Sequence, residues 1–311
     1  MSFALMMLGG MVLDLVFGWP GRLFMLIGHP VTWLGRTISA LERRFNSGSF
    51  HRRLAGGALT VLLIILASTG VALALQTALP NGWAGVLIGS VLAWPMIALR
   101  SMHAHVSAVA RPLSAADLPA ARNAVSMIVG RDPAQMDSAA VARAATESLA
   151  ENTSDGVVAP LFWGALLGLP GLYAYKAINT MDSMIGHRTE RYEAFGKIAA
   201  HLDDIVNWLP ARLTGIAYAS VSVRPLHALR VMVRDAPRHR SFNAGWPEAA
   251  MAAALGIRLS GPRTYEHQVS QEPWLNEAAP DPQTRDLHRA LSLYRYVMTL
   301  CGLALGALAL F

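Results

Sequence analysis

Long apolar runs, separated by short basic or glycine–proline breaks, set the pattern of this 311-residue chain. Leu54 to Leu79 carries no charge for 26 residues, more than the roughly 20 apolar residues that a crossing helix needs. Pro80-Asn81-Gly82 then turns the chain. Trp83 to Leu99 forms a shorter uncharged run, with Trp83 placed for an interface and Arg100 on the far side. Residues 2–17 are apolar apart from Asp14 and lack the positive start of a cleaved signal, so they read as a first membrane helix. A last span covers about 291–311, with Tyr294, Arg295 and Tyr296 at its interface.

The stretches between spans are more polar. Arg36, Arg43, Arg44, Arg52 and Arg53 stand against the single acid Glu42, which puts their loop on the cytoplasmic side. Residues 100–155 and 224–290 read as cytoplasmic. The first is a helical layer broken at Leu118-Pro119 and Asp132-Pro133, with one helix ending at Gly130. The second opens with the basic stretch Arg224 to Arg240 and contains a polar, proline-rich surface loop at 261–283. Pro237 stops the helix on which Arg230, Arg234 and Arg238 would make a stripe.

Residues 156–178 are apolar but interrupted by Pro160 and Leu169-Pro170-Gly171. A plain crossing would separate the polar groups on either side of it by the whole bilayer. A re-entrant hairpin returns them to one side, and broken helices at membrane depth are tolerated where they line a protein cavity. The pattern therefore predicts an all-α, polytopic integral membrane protein, one membrane-embedded domain over 1–311, with a cytoplasmic helical layer and a re-entrant segment at 156–178. A simple span there is the alternative.

The candidate chemistry flanks that segment. Glu147, Glu151 and Asp155 recur every four residues, on one face of a helix that Gly156 would end. Asn179 and Asp182 form a second pair, and Asp203, Asp204 and Asn207 a third cluster. Like charges at such spacing repel, and Arg143 offsets only the first. A divalent cation relieves the repulsion, and these oxygen ligands suit Mg²⁺, held by one or two carboxylates plus phosphate oxygens. Lys176, His187, Arg188, Arg191, Lys197, His201 and Arg212 supply positive charge for phosphate. Gly186 and Gly196 permit close backbone approach. Asn243 to Glu248 reads as a helix N-terminus able to hold an anion. Arg131 and Asp132 are substrate contacts or a simple helix cap. No GxxxxGK[ST] run is present, so a P-loop does not bind the nucleotide.

Composition narrows the class. Hydrophobic residues make up 53% and charged ones 15%, with mean hydropathy +0.36, as in a membrane protein. A net charge of +6 suits anionic lipid and anionic substrates. No basic stripe with interleaved aromatics appears, which argues against nucleic acid. Cys301 is the single cysteine, so no intramolecular disulfide forms.

ESLAENTSDGVVAPLFW and AINTMDSMIGHRTERYEAFGKIAAHLDDIVNWLPARLTG resemble the CobD/CbiB family of cobalamin biosynthesis, the adenosylcobinamide-phosphate synthases. The resemblance extends to Leu13-Asp14, to Gly28 through Gly35, to Val129-Gly130-Arg131-Asp132 and to Ser241 through Tyr265. Trp19-Pro20 departs from the expected Asp-Pro, which puts in doubt a role for an acid there.

The resemblance implies an inner-membrane, multi-pass ligase with its active site facing the cytoplasm. It joins adenosylcobyric acid to (R)-1-amino-2-propanol phosphate, or a related amino-alcohol phosphate, consuming ATP with Mg²⁺. A homo-oligomer or a complex with other corrinoid enzymes fits the same reading. The expected catalytic residues are Glu147, Glu151, Asp182, His187, Lys197 and Asp203. Asn152, Asn179, Arg188, Arg191, Asn207, Arg212, Asn243 and Glu248 are expected to bind substrate or nucleotide, and Glu151, Asp155, Asp182, Asp203 and Asp204 the metal. The alternatives are a non-catalytic AmpE-type signalling relative, an Mg²⁺-dependent membrane prenyltransferase, and a membrane sensor or transporter using the same charges as a gate.

Overall fold

The computed structural model describes residues 2–130, 132–265 and 268–310. Arg131 lies outside them. Fourteen α-helices carry the described chain: α1 (Phe3–Phe17), α2 (Gly21–Ile27), α3 (Pro30–Phe45), α4 (Phe50–Thr77), α5 (Trp83–Ala93), α6 (Leu99–Ser114), α7 (Leu118–Ser126), α8 (Ser138–Thr153), α9 (Ala159–Ile185), α10 (Lys197–Val206), α11 (Trp208–Ser220), α12 (Pro225–Asp235), α13 (Gly245–Leu255) and α14 (Thr284–Leu308). Four stretches are long and apolar enough to cross a bilayer: Phe50–Thr77, Trp83–Ser114, Ser138–Ile185 and Thr284–Leu308. The bent pair Phe3–Phe17 and Gly21–Phe45 makes a fifth if counted as one span. In α4 only 22% of the most apolar stretch is buried, and Leu62, Leu66 and Val71 point outward. Lipid is the environment that such a surface fits.

Backbone contacts divide the chain into two compact units, one of residues 1–98, 159–207 and 302–311, the other of 99–158 and 208–301. In the first, a core of Ile38, Val61, Ile64, Ile178, Met181, Ile185, Phe195 and Ala199 joins α3, α4, α9 and α10. In the second, Ala219, Ala228, Val231 and Ala253 pack α11, α12 and α13 on small side chains.

The break expected near Leu169-Pro170-Gly171 is present. Gly168 adopts φ 71° and ψ −153° inside α9, a region that only glycine enters readily. Beyond it, Gly171 lies against the carbonyl of Trp163, whereas a straight helix would hold those residues about 12 Å apart along its axis. The chain therefore folds sharply at Gly168-Leu169-Pro170. Gln76 Oε1 accepts the Leu169 N–H at 2.8 Å, satisfying the donor that the break exposes. The same glycine–x–proline device ends α1 at Gly18 and α2 at Gly28, with φ 56° and 74°.

Several boundaries differ from those read off the pattern. Gly156 does not end α8; Ser154–Val158 widens into one π-helical turn that runs on into α9, so Asp155 is displaced from the face shared by Glu147 and Glu151. α7 stops at Ser126 and Met127 caps it in a right-handed conformation, so Gly130 is not the cap. Residues 261–283 are not purely loop. Leu259–Ser260 pairs with Trp274–Leu275, and Arg263–Tyr265 with Gln268–Ser270, both antiparallel.

Gly168→Ala places a methyl on Gln76 Oε1 and forces a Gly-only conformation on alanine. It will destabilise the folded chain by about 1–3 kcal/mol, read as a lower unfolding midpoint in detergent; an unchanged midpoint removes the break as a constraint.

Candidate functional site

In the first unit the second arm of α9 presents Tyr175, Asn179 and Asp182 at i, i+4 and i+7, which share one helix face. α10 presents Asp203 and Asn207 four residues apart. The apolar contacts between the two helices carry Asp203 and Asn207 into the interior, 8% and 1% exposed. Asn207 Nδ2 donates to Asp203 Oδ2 at 2.9 Å, and Asn179 Nδ2 to Oδ1 at 3.4 Å. Tyr175 donates its hydroxyl to Asn207 Oδ1 at 2.9 Å, which fixes that amide.

Burial pushes the Asp203 carboxyl up to about 7, and the negative charge of Asp182 beside it adds to the effect, while the two asparagine hydrogen bonds oppose it. Burial also pushes Asp204 up, against the pull of His201 and Arg188. His187 acts electrostatically on Asp182. Of the expected cations, His187 acts on Asp182 and Arg188 on Asp204, and both are exposed, as is Lys197 at the start of α10. Gly186 lies directly against Asp182 Oδ1, leaving no room for a Cβ.

The loop between α9 and α10 is held by close backbone approach. Gly196 rests on the Ile185 carbonyl and Gly57 of α4 on the Phe195 carbonyl. Arg191, expected to bind substrate, makes a two-pronged pair with buried Glu42 at 3.0 and 2.9 Å. Asn46 donates to the Arg191 carbonyl and Arg53 to that of Glu190. The geometry gives Arg191 a loop-fixing role.

The remaining expected residues lie in the second unit. Glu147 is buried and accepts the Ser260 N–H at 2.7 Å, a tie between α8 and the first strand. Glu151 is exposed, and Asn152 donates to the Ser148 carbonyl. Glu248 is buried 3.6 Å from His239, and Arg238 and Arg240 reach Asp235 and Glu272. Arg212 lies among the rings of Trp208, Trp246 and Phe242, at 4.5, 4.4 and 5.2 Å, and donates to Asn243 Oδ1 at 3.4 Å. The pattern did not single out this aromatic surround, although Trp208 stands one turn before Arg212. Nor did it find Tyr175, whose signal was its place one turn before Asn179.

Among the described residues, no three His, Cys, Asp or Glu side chains close into a preformed metal cage. Helices long and apolar enough to cross a bilayer, together with a buried acid–amide cluster, are consistent with a multi-pass helical membrane protein. The chain belongs to the CobD/Cbib protein family, which it matches over residues 7–294. It is 60% identical over 309 residues to the cobalamin biosynthesis protein CobD of Rhodobacter capsulatus, covering 99% of this chain and 98% of that one. It is 46% identical to the CobD of Brucella suis biovar 1, with 96% and 94% covered, and 41% identical to that of Klebsiella pneumoniae, with 91% and 90% covered. No solved structure matches it.

A carboxyl with a raised pKa holds its proton more tightly in the folded state than in the unfolded one. Its contribution to stability is full below about pH 4 and is lost as the pH rises towards 7. Unfolding midpoints across that window will fall for the native chain, and Asp203→Asn will flatten the profile; a slope unchanged by the substitution excludes Asp203 as its source. Gly186→Ala will displace the Asp182 carboxylate and so lower the Asp203 titration midpoint. The carboxyl C=O infrared band reads this, and a midpoint that stays near 7 would mean that Asp182 does not act on it.

Proposed function

We propose that this chain is the ATP-dependent amide ligase of cobalamin biosynthesis that joins adenosylcobyric acid to (R)-1-amino-2-propanol phosphate, or a related amino-alcohol phosphate, giving adenosylcobinamide phosphate. The role in cobalamin biosynthesis follows from the family and from relatives that share nearly the full length. The ligase chemistry is supported above all by Asp203, a buried carboxyl raised to about 7 by burial and by Asp182 beside it, with Asn179 and Asn207 hydrogen-bonded to its oxygens.

That donor set fits Mg²⁺ carried by a nucleotide. Asp182 and Asp203 offer two carboxylates, the number that Mg²⁺ commonly takes from protein when phosphate oxygens supply further ligands. When bound, Mg²⁺ supplies charge neutralisation for the transferring phosphate. Asp204 is a third candidate oxygen donor at the edge of the cluster. Asn179 and Asn207 hold the Asp203 carboxylate in place. His187, Arg188 and Lys197 are free of ion pairs among the described residues and are available to balance phosphate charge. Exposed His187, which acts electrostatically on Asp182, is the candidate to take the proton of the attacking amine. In the second unit, Glu151 and Asp155 stay candidate metal ligands, with Glu151 also a candidate catalytic group, and Asn152 stays a candidate substrate or nucleotide contact; Arg212 with Asn243 offers a positive group on an aromatic surface for a phosphate or an amide side chain. Access is from the cytoplasm: Arg53, from the arginine-rich end of α4, ties the loop that carries His187 and Arg188.

Purified chain in lipid nanodiscs, given ATP, Mg²⁺, adenosylcobyric acid and aminopropanol phosphate, will form the amide, detected by mass. Asp182→Ala and Asp203→Ala will each cut kcat by roughly a hundred-fold or more. Product that persists in both variants removes the site assignment. A chain with no turnover, or one that transfers a prenyl group without ATP, removes the ligase reading.

A further inference from the structure

A groove separate from the acid–amide cluster carries a further assignment. It has a volume of about 430 Å³ and is lined by Thr32, Gly35, Arg36, Ser39 and Arg43 of α3 and by Met184 of α9. Thr32, Arg36, Ser39 and Arg43 fall at i, i+4, i+7 and i+11, so they form one stripe along α3. The opposite side of the helix, through Leu34, Ile38, Leu41 and Phe45, packs into the core of the first unit. Among the described residues, neither Arg36 nor Arg43 makes an ion pair or hydrogen bond, and the Ser39 hydroxyl is likewise unengaged. The one acid between residues 15 and 116 is Glu42, and Arg191 already holds both of its oxygens. Arg43 therefore shares Glu42 electrostatically with Arg191, which holds both carboxylate oxygens, and Arg36 faces the groove with no ion pair among the described residues.

The surroundings say what kind of anion fits. The Gly21–Phe45 segment is bent by 108° from α1, so with α1 across the bilayer α3 runs close to the membrane plane. α2, which leads into the groove, exposes Phe24, Met25, Leu26 and Ile27 at 51, 80, 80 and 49%. Trp33 is 46% exposed and ties the two helices by donating its indole N–H to the Ile27 carbonyl at 2.8 Å. An amphipathic helix in the interface, with apolar side chains and a tryptophan at one end and paired arginines along one stripe, matches a ligand that is apolar at one end and anionic at the other.

We propose that this groove is a binding site for an anionic phospholipid, with the phosphate between Arg36 and Arg43, the Ser39 hydroxyl donating to it, and the acyl chains along α2. Bidentate contact from two guanidinium groups suits a phosphodiester. A zwitterionic headgroup brings its own cation against the arginines and binds less well. The site is distinct from the Asp182–Asp203 cluster, and its occupancy does not depend on the ligase reading.

The test is lipid binding to the full chain in a neutral maltoside detergent, read by native mass spectrometry with phosphatidylglycerol, phosphatidylcholine and glycerol 3-phosphate as probes. Phosphatidylglycerol will bind in preference to phosphatidylcholine, and glycerol 3-phosphate will not compete at equal concentration. Arg36→Gln with Arg43→Gln will weaken phosphatidylglycerol by roughly ten- to thirty-fold. Arg44→Gln with Arg52→Gln removes the same charge outside the groove and will leave the affinity unchanged. Ser39→Trp fills the groove with no loss of charge and will also weaken binding, which keeps the test open if the double arginine variant does not fold. Equal weakening by both arginine pairs, or full affinity in Ser39→Trp, overturns the proposal, as does equal competition by glycerol 3-phosphate.

Discussion

Removing the Asp203 carboxyl from water is the constraint on which the centre of the first unit depends. A buried charge is costly unless it is hydrogen-bonded or neutralised. Packing α10 onto the second arm of α9 through Phe195, Ala199, Met181 and Ile185 leaves that side chain buried. Asn179 and Asn207 therefore donate to its two oxygens, and Tyr175 holds Asn207 in the orientation that allows it. The carboxyl still rises to about 7.

The backbone around the cluster is arranged to keep that geometry. Gly186 and Gly196 let the chain turn from α9 into α10 with almost no space between, and Gly57 lets α4 press on the same loop. Glu42 and Arg191 then pin the loop from α3 through an internal two-pronged pair. Exposed His187 and Arg188 remain at the rim. Support of this kind beneath exposed side chains keeps their positions fixed.

Polar and apolar surfaces are divided differently in the two units. In the first, α4 turns leucine and valine outward and α3 lies amphipathic beside it, so lipid and headgroup are part of the environment that the fold presupposes. In the second, alanine at the contacts of α11, α12 and α13 lets the helices approach closely. The aromatic rings around Arg212 give it a different kind of polar centre, a cation held against π faces.

Hydrophobic run length alone determined that the chain is helical and has several segments of bilayer length, because an uninterrupted apolar stretch of that size has few other stable forms in a membrane. Motif order determined the family, and glycine–proline breaks marked where α9 bends. The i, i+3 and i, i+4 spacings also placed Asn179 with Asp182 and Asp203 with Asn207 on shared faces. Pattern could not tell Arg191 from Arg188, since both are basic residues in one loop and only the distant Glu42 separates their roles. It could not foresee the π-helical turn at Ser154–Val158, because one extra residue per turn leaves the composition unchanged. Nor could it raise the Asp203 pKa, which depends on how deeply α10 packs and on a neighbouring carboxylate twenty-one residues earlier in the chain. Local periodicity is written in the sequence, whereas desolvation and pairing belong to contacts between segments that only the folded chain brings together.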